Sequence, residues 1–224
     1  MTTFPFDCVG FDLDGTLLDT SRDLGVALNA TLADIGRPPV PDHAVRGLIG
    51  GGSKLMLKKA LDITGGSEGH DVGALWPPLI DHYRRAIAVH SHLFPGGAEM
   101  LDALEGEGVT LALVTNKLHA LAVQLLEELG LAQRFAVILG GDSLGPGRAK
   151  PAPDLLHEML ARTGATRAAY VGDTTYDTRA ARAAGLPCVA VSFGFYDAPP
   201  HELGADAVIE HYDELVPTLR RLGR

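Results

Sequence analysis

Six apolar runs of strand length, most of them separated by segments with helical periodicity, limit the folds open to this chain. They lie at Cys8 to Leu13, Val109 to Val114, Phe135 to Leu139, Ala168 to Val171, Pro187 to Val191 and Ala207 to Ile209. Between them, Leu121, Leu125 and Leu129 repeat with a helical period and stop at Gly130, and Ala180, Ala181, Ala183 and Ala184 form a small-residue helix that stops at Gly185. Strands that are apolar throughout and alternate with helices specify a parallel sheet covered on both faces. The expected fold is therefore α/β, a doubly wound parallel sheet with a Rossmann-like core. A chain of 224 residues that is 46% hydrophobic is long enough to bury such a core.

One interval departs from the alternation. Between the first apolar run and Pro95-Gly96-Gly97 only helical patterns occur: Ser21 opens one with Leu24, Leu28, Leu32 and Ile35 and a stop at Gly36. Leu55, Leu61 and Ile63 belong to a second, and Leu75, Leu79, Tyr83 and Ile87 to a third. A crossover needs about a dozen residues, and this interval is several times longer. It reads as an inserted helical cap over residues 19–91, placed over the sheet's carboxyl edge, with residues 1–18 and 92–224 forming the core.

Charge and composition remove several classes of partner. The 19 Lys and Arg against 28 Asp and Glu leave a net charge of -9, and no basic stripe is present, so nucleic acid is not expected. No apolar stretch reaches the roughly 18 residues of a membrane span, and the first residues lack a basic region followed by an apolar one. A soluble, cytoplasmic protein without a membrane partner is expected. Cys8 and Cys188 stand far apart with no CxxC pattern, which fits two buried free thiols. An acidic chain that handles an anion needs local positive charge from a few placed cations or a metal ion.

Polar clusters follow four of the apolar runs. In Phe11-Asp12-Leu13-Asp14-Gly15-Thr16 two carboxylates leave a buried strand together, where open α/β sheets bind ligands, and Gly15 permits a tight turn whose N–H groups can face an anion. One carboxylate can attack or bind metal while the other moves protons. Val114-Thr115-Asn116-Lys117 offers a hydroxyl and backbone N–H groups for phosphoryl oxygens. Lys150 lies in the proline-stiffened loop Ala149-Lys150-Pro151-Ala152-Pro153, suited to pairing with a phosphate or a nucleophilic carboxylate. In Val171-Gly172-Asp173-Thr174-Thr175-Tyr176-Asp177, Asp173 can reach the same crevice as Asp12, giving the hard oxygen donors a magnesium ion accepts. Asp177, one turn on, is placed to orient Lys150 or the waters of the metal. Each cluster alone also fits helix capping or turn formation; four in succession do not.

The order DxDGT, Thr, Lys, GDxxxD resembles the haloacid dehalogenase-like hydrolases, over nearly the whole chain and with a cap at the same place. Leu48-Ile49-Gly50-Gly51-Gly52-Ser53, Phe94-Pro95-Gly96, Val114-Thr115-Asn116-Lys117, Gly140-Gly141-Asp142 and Ser192-Phe193-Gly194-Phe195 are similar to segments of the bacterial phosphoglycolate phosphatases within that group. Thr174 stands where Ser is commoner, and Lys54 where an acidic residue often follows the glycine loop. The resemblance implies a magnesium-dependent phosphatase in which Asp12 is the nucleophile and forms an aspartyl-phosphate, and Asp14 is the general acid and base. It places magnesium on Asp12, the Asp14 backbone carbonyl and Asp173, with Lys150 assisting. Thr115, Asn116 and the turn through Gly15 and Thr16 would hold the remaining phosphoryl oxygens. The implied substrate is a small phosphomonoester, with 2-phosphoglycolate first and a sugar phosphate or a phosphosugar mutase reaction as alternatives. A carboxylate-bearing leaving group needs room near Gly51 and Gly52 and one cation, for which Lys54 is the candidate. From another class, a signalling receiver domain also gathers acids, Thr and Lys around a phosphorylated Asp, but it predicts a shorter chain without a cap.

Overall fold

The computed structural model describes residues 4–223, so Met1 to Thr3 and Arg224, the outer ends of the expected core, lie outside the described residues. Six parallel strands form the central sheet: β1 (Cys8–Phe11), β4 (Thr110–Val114), β5 (Val137–Leu139), β6 (Ala168–Gly172), β7 (Cys188–Val191) and β8 (Ala207–Ile209), in the order β5-β4-β1-β6-β7-β8. Phe11 pairs with Leu113 on one side and Val171 on the other. The chain moves outward from β1 through β4 to β5, then returns to the other side of β1 through β6, β7 and β8. This reversal opens a crevice at the carboxyl end of β1, between the ends of β4 and β6.

The alternation of side chains along each strand builds two cores. Val9, Phe11, Leu111, Leu113, Val171 and Val189 point to one face and pack against α5 (Gly97–Gly106), α6 (His119–Glu128) and α9 (Leu215–Leu222). Cys8, Ala112, Val114 and Tyr170 point to the other, against α7 (Asp154–Thr163) and α8 (Thr175–Ala183). Cys8 and Cys188 are free and buried there. A side chain at Gly10 would begin 2.5 Å from the Met159 sulfur, so glycine in mid-strand lets α7 close onto the sheet.

Four helices, α1 (Ser21–Asp34), α2 (Asp42–Val45), α3 (Ser53–Ile63) and α4 (Val72–Arg85), lie between β2 (Leu18–Asp19) and β3 (His92–Leu93). β2 and β3 pair antiparallel, Leu18 with Leu93 and Asp19 with His92, so the chain leaves and re-enters the core as a two-stranded ribbon. The buried Asp23 carboxylate accepts hydrogen bonds from His90 N, Ser91 N and Ser91 Oγ, fastening the first turn of α1 to the returning strand. The helical patterns hold with two corrections. In α3 the buried face is Met56, Leu57, Ala60 and Leu61, while Ile63 at the end is 58% exposed. α4 runs through Pro77 and Pro78, and Ile87 is buried beyond its end rather than on it. No helix of the described residues is long and apolar enough to cross a membrane.

Candidate active site

The site is built where β1, β4 and β6 end. Asp12 leaves β1 buried, with Lys150 Nζ 2.9 Å from its Oδ1. Lys150 is itself buried and also donates to Asp177 Oδ1 at 2.6 Å and to Tyr170 Oη at 2.8 Å. Tyr170 in turn donates to the Val114 carbonyl at the end of β4, at 2.6 Å. One cation thus ties three strands together. Burial works against the ammonium, but Asp12 and Asp177 outweigh it and hold its pKa above the usual lysine value. Burial pushes Asp12 up to about 6; Lys150 draws it down, and Asp177 and Asp14 raise it further. Asp173 is raised well above the ordinary carboxylate value by burial and then by Asp177 and Asp12, although the Phe195 N–H and Thr16 hydroxyl favour its charge.

Three carboxylates, from Asp12, Asp173 and Asp177, each bring an oxygen into a buried group in which these atoms all lie within 4.8 Å of one another. So much negative charge in so dry a place calls for a cation beyond Lys150. Asp177 is already committed. Its Oδ1 takes Lys150, and its Oδ2 takes Thr174 N, Thr174 Oγ1 and Asp173 N at the start of α8. Asp12, which faces only Lys150, and Asp173, whose oxygens each take a single donor, keep the more lone pairs to ligate, and hard oxygen donors of this kind suit a divalent cation such as magnesium. Asp177 orients Lys150 and the turn that carries Asp173.

The turn after β1 departs from the expectation at Gly15. Gly15 has φ +84° and its N–H donates to the Leu18 carbonyl, so that N–H is spent inside the turn. A Cβ there would begin 2.2 Å from Asp173 Oδ2 and 2.8 Å from the Phe195 ring; glycine is required for close approach as well as for its backbone angle. The Thr16 hydroxyl donates to Asp173 Oδ1 at 3.0 Å and so supports that carboxylate.

Asp14 faces the cap. It accepts from Thr20 Oγ1 at 2.7 Å and from Lys117 Nζ at 2.7 and 2.8 Å through both oxygens. Lys117 is buried, and Asp14 and Tyr83 overcome the cost of that burial and raise its pKa. Its ammonium lies 4.7 Å from the centre of the Tyr83 ring, which belongs to α4 of the cap. Thr115 is buried and its Oγ1 accepts from Lys117 N, while Asn116 Nδ2 donates to Lys150 O at 3.0 Å and to Gly50 O at 3.4 Å. Between cap and core these groups enclose a cavity of about 40 Å³ whose walls include Asp12, Asp14, Asn116, Lys117, Gly50, Gly52 and Tyr83.

Two cap candidates fall outside it. Lys54 is exposed, its ammonium 4.5 Å from the centre of the Trp76 ring, because the first turn of α3 points it away from the crevice. Gly51 packs on Leu55 and Tyr176, where a Cβ would begin 2.4 and 2.9 Å from their atoms. The buried cation is Lys117 instead. The sequence pattern contains it, one residue after Asn116, but carries no signal that its side chain reaches Asp14 while Lys54 does not.

A buried acid on the central strand, a lysine braced against it, a second acid facing a cap and a paired acid for a cation define a capped α/β hydrolase. A receiver domain has no such cap. The haloacid dehalogenase-like hydrolase family matches residues 9–191. A phosphoglycolate phosphatase of Agrobacterium fabrum is 41% identical over 98% of this chain and 95% of its own length. An N-acetylmuramic acid 6-phosphate phosphatase of Pseudomonas putida is 35% identical over 92% of each chain. The crystal structure of a predicted phosphoglycolate phosphatase from Haemophilus somnus superposes with a TM-score of 0.88 at 27% identity, covering 97% of this chain and 99% of the other. The chain belongs to the haloacid dehalogenase-like hydrolases and is a phosphoric monoester hydrolase.

Proposed function

We propose that the chain hydrolyses 2-phosphoglycolate to glycolate and phosphate. The observation that carries this reading is the buried Lys117 ammonium in the wall of the small cavity beside Asp14, about 40 Å³. A leaving group with a carboxylate supplies the anion that such a cation selects, and the small volume rejects larger groups. The Agrobacterium fabrum relative bears the same activity in its name.

Asp12 is placed to attack phosphorus, forming an aspartyl-phosphate as the bond to the glycolate oxygen breaks. Asp14 gives a proton to that oxygen, then takes one from the water that cleaves the aspartyl-phosphate. Lys150 holds the Asp12 carboxylate in place and offsets charge, and Thr115 and Asn116 stand at the end of β4 for the phosphoryl oxygens. Asp12, Asp173 and the Asp14 backbone carbonyl would hold magnesium, which when bound supplies the positive charge that lets a carboxylate meet a phosphate dianion. Thr16 and Asp177 keep Asp173 and Lys150 oriented.

A second reading follows from the Pseudomonas putida relative, whose named substrate is a far larger amino sugar phosphate. The two separate in one assay of phosphate release from each compound, with magnesium and after chelation. Phosphoglycolate should be turned over well and N-acetylmuramic acid 6-phosphate poorly, both only with metal. The reverse preference overturns the substrate and leaves the phosphatase; full turnover after exhaustive chelation overturns the metal assignment.

A further inference from the structure

Tyr83 carries a feature that packing does not explain. It lies on α4 of the cap and is 2% exposed, and among the described residues its hydroxyl meets no hydrogen-bond partner. Buried hydroxyls are almost always paired, because an unpaired one forfeits its bonds to water. The neighbouring cation does not take its proton: the Lys117 ammonium lies beside the phenol and acts on its oxygen, but an ammonium has no acceptor, and its well-directed hydrogen bonds go to Asp14. Burial keeps the phenol protonated, so the unused group is a donor. The residue lines the cavity beside Asp14, where a leaving group must sit.

We propose that Tyr83 is a specificity residue, its hydroxyl donating a hydrogen bond to the carboxylate of the leaving group while Lys117 supplies the charge beside it. This rests on the reading of the substrate as a carboxylate-bearing phosphomonoester and adds the cap residue that recognises it. A carboxylate has two oxygens with several acceptor directions, so it meets a hydroxyl and an ammonium at once, which a neutral alkyl group cannot. The cap brings Tyr83 and the core brings Lys117, and the recognition site is complete only when the two are together.

The test compares the unmodified protein with Tyr83→Phe on phosphoglycolate and on ethyl phosphate, which keeps the two-carbon skeleton and lacks the carboxylate. In the unmodified protein phosphoglycolate is expected to have the higher kcat/KM. In Tyr83→Phe the ratio of the two kcat/KM values should fall about tenfold, chiefly through a higher KM for phosphoglycolate. The unfolding temperature of Tyr83→Phe should match or exceed that of the unmodified protein, since the variant removes a hydroxyl that is unpaired without ligand. An unchanged ratio, or equal losses on both substrates, overturns the proposal. A fall in unfolding temperature with the ratio kept shows a structural hydroxyl and overturns it too. If the unmodified protein shows no preference for phosphoglycolate, the substrate reading fails first and takes the Tyr83 assignment with it.

Discussion

At the scale of single residues, burial decides how the charged groups beside β1 behave. Asp12 is held at about 6 in the folded chain against an ordinary 3.8. A raised carboxylate pKa means the folded state binds the proton more tightly than the unfolded state does. In the metal-free protein the contribution of Asp12 to stability is therefore greatest below pH 3.8 and is lost as the pH rises through about 6. Asp12→Asn removes the buried charge while Lys150 keeps Asp177. The chelated variant should accordingly melt above the chelated parent at pH 7, with the gap closing toward pH 4, while its turnover is abolished. A gap that does not change with pH would show that Asp12 is not the strained group. Lys117 and Lys54 separate by place. Lys117→Met should lower kcat/KM for phosphoglycolate about a hundredfold, in line with breaking a buried charge pair. Lys54→Ala removes only an exposed contact with Trp76, costing about 0.5–1 kcal/mol of stability and no selectivity. Equal effects of the two substitutions on phosphoglycolate kinetics would return Lys54 to the site.

At the scale of elements, the sequence pattern was readable wherever one periodicity ruled. The strands follow the apolar runs to within two residues at either end, and α1 starts at Ser21 and ends just before Gly36 as its leucine spacing requires. Asp12, Asp14, Lys150 and Asp173 stood out because each polar cluster follows an apolar run. What stayed hidden depends on reach across the fold. Tyr83 sits at an apolar position of a helical pattern, and no spacing rule shows that its hydroxyl lacks a partner. Gly15 is legible as a turn residue, but the clash with Asp173 and Phe195 that forbids a side chain there comes from segments far along the chain. Asp23 is the same kind of case: an acid in the first turn of α1 is ordinary, yet this one is buried and takes the donors of His90 and Ser91 that lead into β3. Asp23→Ala leaves these groups unpaired at about 1–3 kcal/mol for each that stays dry. A chain of this size loses roughly 2–4 °C of unfolding temperature per kcal/mol. A drop of several degrees is expected in calorimetry, and no drop would mean that water replaces the carboxylate and the ribbon is not fastened there.

At the scale of the whole molecule, the cap joins the core through one short ribbon and a few contacts, so closure is held by small energies. Gln124 Nε2 of α6 donates to the Arg84 carbonyl of α4 at 3.1 Å, and Asn116 reaches Gly50. Arg46, in the single turn after α2, pairs with Asp19 of β2 and lies 5.5 Å from the centre of the Phe195 ring. Phe195 belongs to the core loop whose N–H fixes Asp173 Oδ2, so Arg46 spans cap, ribbon and metal-site loop without lining the cavity. Its guanidinium is about half exposed, and such a pair with such a ring contact is worth about 1 kcal/mol together. Loss of that amount shifts a closed-to-open equilibrium about fivefold. Binding that needs the closed state weakens in proportion to the closed fraction. Arg46→Ala should therefore raise the KM for phosphoglycolate up to fivefold, leave the kcat nearly as it was, and narrow the preference over an aryl phosphate too large for the closed cavity. Hydrogen exchange at Gly50 to Gly52 should quicken alongside. A kcat that falls tenfold or more with KM unchanged would place Arg46 in the chemistry and not in the closure, and an unchanged selectivity would mean that the cap does not need this contact to shut.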